Sequence, residues 1–355
     1  MESTKYIGMD VHKDTISVAV RNAAGKVVME SILETKAATI VQFISGLRGN
    51  LRVTFEEGTW AAWLYDLLKP HVTQVTVCNP RHNALLKSGN KGDRIDAQKL
   101  AELLRQGALS AVYHGENGLR TLKELSRSYL TLSQDLTRVM NRLKALYQSW
   151  GIACAGTQVY APRHRTEWLS KIPEAGVRCR AEFTYQQLDR LQALRQEVRR
   201  DLLAESRKHR ATKLLRQIPG IGPIRAALLV AILQTPDRFR SKRQLWAYSG
   251  LAIETHASGE YRYLEGRVRR SPKAVRLRGL NRNHNHDLKS IFKSASVRAS
   301  TARGPLQEFY QGLLAQGRRP SMARLTLARK IAVITLIVWK KGVRFDGKHL
   351  KPQAA

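Results

Sequence analysis

The hydrophobic period of the first hundred residues changes in a fixed order, and that order restricts the fold more than any other feature of the chain. Tyr6 to Met9, Thr15 to Arg21 and Lys26 to Ser31 read as three short strands, with Ala24-Gly25 marking the second turn. A helical spacing follows over Thr35 to Leu47, carried by Ile40, Val41, Ile44 and Leu47, and Leu51 to Phe55 then reads as a strand. Trp60 to Leu68 reads as a helix ended by Pro70, Val72 to Cys78 as a β-rich run, and Asp96 to Gln106 as a closing helix. Three consecutive strands followed by alternating helices and strands predict a mixed sheet with helices packed on it, not a doubly wound dinucleotide domain.

The period then lengthens. Leu122, Leu125, Tyr129, Leu132, Leu136, Val139, Leu143 and Leu146 occupy successive a and d positions of four heptads, which predicts a coiled-coil seam or a long helix packed on its own domain. Beyond a polar joint at 151–176, Leu188, Leu191, Leu194, Val198 and Leu202 mark a second amphipathic helix. The two helices can pair antiparallel within one chain or between chains, and homo-oligomerisation through this region is expected. Residues 211–355 read as helix-rich, with I-P-G-I-G-P as a hairpin between two helices and a final helix over Arg324 to Lys340. Gly220 and Gly222 either serve an ordinary helix-to-helix turn or let backbone amides approach a phosphate closely. The chain thus divides into 1–115, 116–210 and 211–355.

Charge separates these parts. The chain carries a formal net charge of +33 on 355 residues, a self-repulsion that a polyanion offsets, so nucleic acid is the leading partner and an anionic membrane surface a distant second. Residues 1–100 hold 13 basic and 10 acidic side chains, whereas 201–355 hold 32 and 9. The apolar runs are far shorter than the ~20 residues of a membrane span. The N-terminus lacks a signal-peptide pattern, which places the product in the cytoplasm, associated with the nucleoid when bound to DNA. Cys78, Cys154 and Cys179 are scattered, so neither a disulfide framework nor a zinc knuckle is written.

In a polyanion-binding protein, carboxylates repel phosphate unless a cation lies between them, so acids at strand ends are informative. Asp10 ends the first strand, Glu56 or Glu57 ends L-R-V-T-F, and Asp93 and Asp96 lie three apart at a helix start, on one side of it. Four such carboxylates can hold two Mg²⁺ or Mn²⁺ ions that bind a scissile phosphate and activate its attacker. Taken singly, Asp96 is also an ordinary first-turn acid and Asp93 an ordinary cap. His12, Lys13, Asn79 and Lys91 lie close to these motifs as supporting phosphate contacts.

The order D, E, D-x-x-D behind a three-strand start resembles the RNase H-like, RuvC-like domain of the DEDD transposases encoded by one family of bacterial insertion sequences. The family's first Asp falls on Asp10 in G-M-D-V-H-K, its Glu on Glu56 in F-E-E-G with Glu57 as the other register, and its paired aspartates on Asp93 and Asp96 in K-G-D-R-I-D-A. The likeness extends through I-P-G-I-G-P, F-R-S-K-R-Q-L-W-A-Y-S-G and G-L-N-R-N-H-N-H-D-L-K, covering nearly the whole chain. It implies an α/β RNase H-like domain, a helical coiled-coil middle and a mostly helical transposase domain. It also implies a nucleophilic serine before a glycine, a position matched by Ser258 in A-S-G-E; Ser249 in Y-S-G is the alternative from sequence alone. Two positions depart from the family pattern: Ile253 stands where relatives usually carry Pro, and Ala257 where another serine is often found.

Arg262, Arg267, Arg269, Arg270, Lys273, Arg276, Arg278 and Arg282 follow that serine, with Tyr261 and Tyr263 among them. Their spacing fits a clamp on successive phosphates with rings for stacking on unpaired bases. The leading reading is a Mg²⁺-dependent recombinase that exchanges strands between donor and target DNA. The resemblance adds a structured noncoding guide RNA, and the assembly expected is a dimer that forms a tetramer on DNA. A branched-DNA endonuclease with no covalent intermediate, and a non-enzymatic nucleic-acid-binding protein, are the alternatives.

Overall fold

The computed structural model describes residues 3–80, 92–115, 118–256, 261–264, 266–270 and 276–347. The chain forms two compact units, Met1–Glu116 and Asn117–Ala355.

The first unit is built in the expected order: β1 (Thr4–Val11), β2 (Thr15–Arg21), β3 (Val27–Glu34), α1 (Ala37–Ser45), β4 (Asn50–Glu56), α2 (Ala61–Leu68), β5 (Gln74–Cys78) and α3 (Asp93–Gln106). The strands lie in the order β3-β2-β1-β4-β5. The hairpin-connected strands β1, β2 and β3 pair antiparallel, and β1, β4 and β5, joined through helices, run parallel. This is the mixed sheet with flanking helices that the period changes predict, in the RNase H-like arrangement.

Period-two alternation gives the sheet two unlike faces. Ile7, Met9, Val18, Val20, Val53 and Phe55 bury one face with Ile40 and Ile44 of α1 and Leu64 and Leu68 of α2. The register pairs Gly8 with Ala19 on one side and with Thr54 on the other, and Asp10 with Ser17. The opposite face is therefore lined by small residues, and α3 lies on it through Ala97, Leu100 and Ala101. A Cβ built on Gly8 would overlap the Ala97 carbonyl oxygen and lie 2.5 Å from the Ala101 nitrogen, so helix and strand meet backbone to backbone there.

The rotation of α3 is fixed at its edges. Arg94 and Gln98 both donate to the Glu30 carboxylate on β3, Arg105 donates to the Ala23 carbonyl at 3.4 Å, and Glu102 pairs with Arg21 of β2 at 3.8 Å, its carboxyl held down to about 2 chiefly by a hydrogen bond from Arg105 within the helix. The helix begins at Asp93 with Gly92 before it, so Asp93 is its first residue and not its cap, three residues earlier than the apolar spacing alone indicates.

The second unit contains α4 (Arg120–Gln148), α5 (Arg165–Ser170), α6 (Ala175–Ser206), α7 (Arg210–Leu215), α8 (Pro223–Leu233), α9 (Lys242–Tyr248), α10 (His286–Thr301), α11 (Pro305–Ala315) and α12 (Pro320–Lys341). Four short strands, β6 (Ile253–His256), β7 (Tyr261–Leu264), β8 (Arg267–Arg270) and β9 (Arg276–Leu280), make two ribbons, β6 with β9 and β7 with β8. The heptad stripe belongs to α4, which packs against α6 of the same chain. At one end Tyr147 and Tyr185 share a hydroxyl hydrogen bond of 3.1 Å; at the other, Leu122 and Leu202 join the core of the C-terminal helices. The pair is therefore antiparallel. Leu125 and Tyr129, near the start of α4, pack half-buried against the C-terminal core; midway along the pair Leu132 is half-buried and Leu194 is exposed. The joint at 151–176 is more ordered than its composition indicates: Arg165 of α5 forms a two-pronged ion pair with Asp189, and Tyr185 donates to the Val159 carbonyl at 2.9 Å.

Gly8→Ala tests the closest contact in the first unit. Forcing a methyl between β1 and α3 is expected to cost about 1–3 kcal/mol, read as a lower urea midpoint at unchanged slope. An unaltered midpoint contradicts the backbone-to-backbone packing.

Candidate metal centre and nucleic-acid interface

The same alternation that puts Gly8 beneath α3 puts Asp10, two residues on, at the carboxyl end of β1 on the same face. Met9 pairs with Phe55 across the parallel strands, so Glu56, one residue further, ends β4 beside Asp10 and on the face of Thr54. Asp93 and Asp96 occupy the first turn of α3, the helix seated on that face. One sheet edge and one helix end thus gather the four acids read from the sequence.

Their electrostatics report the gathering. Burial raises the Asp10 carboxyl above its ordinary value, His12 opposes the rise, and the charges of Asp93 and Asp96 add to it. Burial likewise raises Glu56, with Asp10 and Asp96 contributing. The two glutamate registers differ in their neighbours: Glu56 feels Asp10 and Asp96, whereas the Glu57 carboxylate is 2.6 Å from Nε2 of His114. That imidazole packs on Tyr65, with ring centroids 5.1 Å apart.

His12 has a larger place than a supporting phosphate contact. Its Nε2 is 3.2 Å from Asp10 Oδ2 and 3.5 Å from Asp93 Oδ2, and one ligand atom from each of the three residues lies within 4.8 Å of the others. The β1–β2 turn holds it there, through His12 N–H to the Thr15 carbonyl and Thr35 Oγ1 to the His12 carbonyl. In sequence only its spacing of two from Asp10 marked it. Asp96 Oδ1 is buried without a hydrogen bond and forms an ion pair with Lys99 Nζ at 3.6 Å. Two carboxyls raised chiefly by burial, the neighbouring aspartates of α3 and an imidazole form a donor set that fits a hard divalent cation such as Mg²⁺ or Mn²⁺. Such an ion would offset the repulsion among the acids.

In the second unit the expected interface residues fall on different elements. Arg262 is on β7, Arg267, Arg269 and Arg270 on β8, Arg276 and Arg278 on β9, and Arg282 just beyond it. Tyr261 and Tyr263 are exposed on β7. These ribbons were not legible as strands, because a four-residue run of Arg and Tyr carries no hydrophobic period. Ser258 and Lys273 lie outside the described residues. Ser249, the alternative nucleophile, is fully buried at the end of α9 and donates to the Leu245 carbonyl at 2.7 Å, which leaves it no access to a phosphate. Gly220 has φ +87° and turns its missing side chain to α10, where a Cβ would lie 2.5 Å from the Ala295 carbonyl oxygen. Packing accounts for this glycine, while Gly222 has open space beside it. In the Asn/His run, Asn285 caps α10 by accepting from the Leu288 N–H at 2.8 Å.

A mixed RNase H-like sheet with acids converging from β1, β4 and α3 defines a class of metal-dependent enzymes acting on nucleic acid. Residues 7–150 match the model of the IS110 DEDD transposases, described as transposase, and residues 212–311 match that of the IS116/IS110/IS902 transposase family. The chain is 22% identical over 350 residues to the transposase for insertion sequence element IS1328 of Yersinia enterocolitica, covering 98% of this chain and 100% of that one. It is 23% identical over 271 residues to the transposase for insertion sequence element IS1111A of Coxiella burnetii, covering 75% and 73%. The chain belongs to the IS110/IS1111 family of DEDD transposases. Among the described residues no helix is long and apolar enough to cross a membrane.

The raised carboxyls of Asp10 and Glu56 bind protons in the folded state at pH values where the unfolded chain has released them. In chelator, their contribution to stability therefore falls as pH rises from their ordinary values of 3.8 and 4.5 through the raised ones. Asp10→Asn is expected to remove part of this fall and to raise the thermal midpoint of the metal-free protein at neutral pH. Glu102 acts in the opposite sense and in a lower window, its contribution being lost as pH drops from 4.5 toward about 2. A midpoint at neutral pH that Asp10→Asn lowers would show the cluster to be a structural ion-pair network.

Proposed function

We propose that the protein is an RNA-guided DNA recombinase that moves an insertion sequence by a covalent serine intermediate. The single observation that carries the catalytic half is the convergence of Asp10, Glu56 and Asp96 with Asp93 and His12 on one face. Asp10, Glu56, Asp93 and Asp96 would hold the ions, whose chemistry is to neutralise a scissile phosphate and lower the pKa of a bound hydroxyl. The chain's own contribution is to fix those acids through α3 and to keep Glu57 turned away in its pair with His114.

The serine step conserves bonds. The Ser258 oxygen forms a bond to phosphorus as one deoxyribose oxygen leaves and takes up a proton; an incoming strand's hydroxyl then reverses the exchange. One phosphodiester replaces another, so no external energy source enters. The support for Ser258 is its place before Gly259, matching the family's serine, together with the burial of Ser249.

A guide RNA and a homo-oligomer complete the reading. The excess of 32 basic over 9 acidic residues in 201–355 suits a partner gripped through phosphates and shape in addition to DNA. Half-buried Leu132 of α4 and exposed Leu194 of α6 support a coiled-coil contact between subunits of a dimer that forms a tetramer on DNA.

Labelled DNA incubated with protein and Mg²⁺, then denatured, is expected to stay attached to the wild type. Ser258→Ala should lose the attachment, and Asp10→Asn should lower the rate by at least ~10²-fold, as for loss of a major transition-state stabiliser. Cleavage with no attached protein would make the enzyme a hydrolase. Purification from cells carrying the whole element should yield one discrete RNA from its flank; random cellular RNA removes the guide.

A further inference from the structure

The residues 262–282 are not the only cationic surface of the second unit. Between Ser206 and Pro236 the chain has no acidic residue, and none lies between Leu288 and Gln307. Helix α8, and α10 beyond its first-turn Asp287, are drawn from these stretches, and the two helices pack on each other. Within α10 the inner face, with Leu288, Ile291, Phe292, Ala295 and Ala299, is sealed in the core. The outer face carries Lys289, Lys293, Ser294, Val297 and Arg298.

Like charges crowd this face. Arg225 reaches across from α8, donating through Nε to Ser294 Oγ at 3.0 Å and through Nη1 to the Gly220 carbonyl at 3.0 Å. Burial and the neighbouring Arg298 hold its pKa down, and burial with Lys293 does the same to Lys289. Burial is the larger cause of both shifts and the crowding of cations the smaller; Asp287, in the first turn, is the one carboxylate on α10, and a row of phosphates relieves the crowding.

We propose that α10, buttressed by Arg225, is a DNA-docking helix whose outer face enters the major groove of a duplex. The inference deepens the recombinase reading, on which it rests for DNA as substrate. At 1.5 Å per residue, Lys289 to Arg298 spans roughly 13 Å, comparable to the ~12 Å major groove of B-DNA. Cations at both ends suit the flanking phosphates. In the centre Ser294, whose hydroxyl donates to the Ile291 carbonyl at 3.0 Å and accepts from Arg225, holds Arg225 at this face, and Val297, 50% exposed, offers methyl groups that match the thymine methyl. The major groove of A-form RNA is too deep and narrow for such a helix, so the occupant is duplex DNA.

The test uses full-length protein in chelator, so that binding is read without strand cleavage, with fluorescent DNA and RNA duplexes of equal length. The variant Lys289→Gln, Lys293→Gln, Arg298→Gln is compared with an equal-charge control at exposed sites elsewhere, Arg318→Gln, Arg319→Gln, Arg324→Gln. The α10 variant is expected to reduce the salt slope of DNA binding by about 2 to 3, at ~0.9 per lost phosphate contact, and to weaken affinity at least tenfold, with a smaller change for RNA and for the control. Methyl green, which fills the major groove, should compete with wild-type binding more strongly than netropsin, which fills the minor groove. Should the triple variant melt early, the exposed single changes Lys293→Gln and Arg298→Gln carry the comparison. Equal losses in the two triple variants, losses confined to RNA, or stronger competition by netropsin each overturn the proposal. A wild type that binds no DNA refutes the recombinase reading itself, whereas α10 variants that bind like wild type refute only the docking helix.

Discussion

The contact between Gly8 and α3 is the constraint on which the catalytic unit turns. Because β1 carries no side chain at that position, α3 descends until its backbone meets the strand at Ala97 and Ala101. That approach brings the first turn of the helix level with the end of β1. Asp93 and Asp96 sit on that turn, and Asp10 sits two residues beyond the glycine. Small neighbours on the same face, Ser17, Ala19 and Thr54, keep the bed shallow. The Glu30 clasp on Arg94 and Gln98 then sets the roll of the helix. Packing thus assembles like charges that would otherwise separate, and their cost is the opening for a divalent ion.

The two units divide the electrostatic work. In the first, a small number of acids is concentrated at one edge of an otherwise nearly neutral body. In the second, cations accumulate on helices and ribbons from which acids are almost excluded. A nucleic acid can be gripped by the second without being repelled by the first, provided a cation screens the acidic edge. On the docking-helix proposal, Arg225, Lys289 and Arg298 would extend that grip beyond the Arg-rich segment that dominates the sequence.

Legibility followed periodicity. The five strands of the sheet and the helices around it were readable because Ile7, Met9, Val18, Val20, Ile40 and Ile44 repeat at two or at three to four residues. The acids were readable because Asp10, Glu56 and the Asp93–Asp96 pair fall at element ends in a family order. Four features were not readable. The β6–β9 and β7–β8 ribbons bury no stripe, so no period betrays them. The joint at 151–176 is ordered by long-range contacts, Arg165 with Asp189, Tyr185 with the Val159 carbonyl and the burial of Val159, Trp168 and Ile172, which composition does not encode. The choice of Glu56 over Glu57 depends on which neighbour each meets across the fold. His12 is drawn in by a turn whose hydrogen bonds are invisible in the string of letters.

Divalent-ion binding tests this account most directly. Titration of Mn²⁺ into the full-length protein, followed by electron paramagnetic resonance of the free ion, should show stoichiometric uptake by the wild type. Uptake should be lost or greatly weakened in Asp10→Asn, Glu56→Gln and Asp96→Asn alike, because the three acids act as one site. Uptake that persists unchanged in all three variants would contradict the assignment of this face as the metal centre.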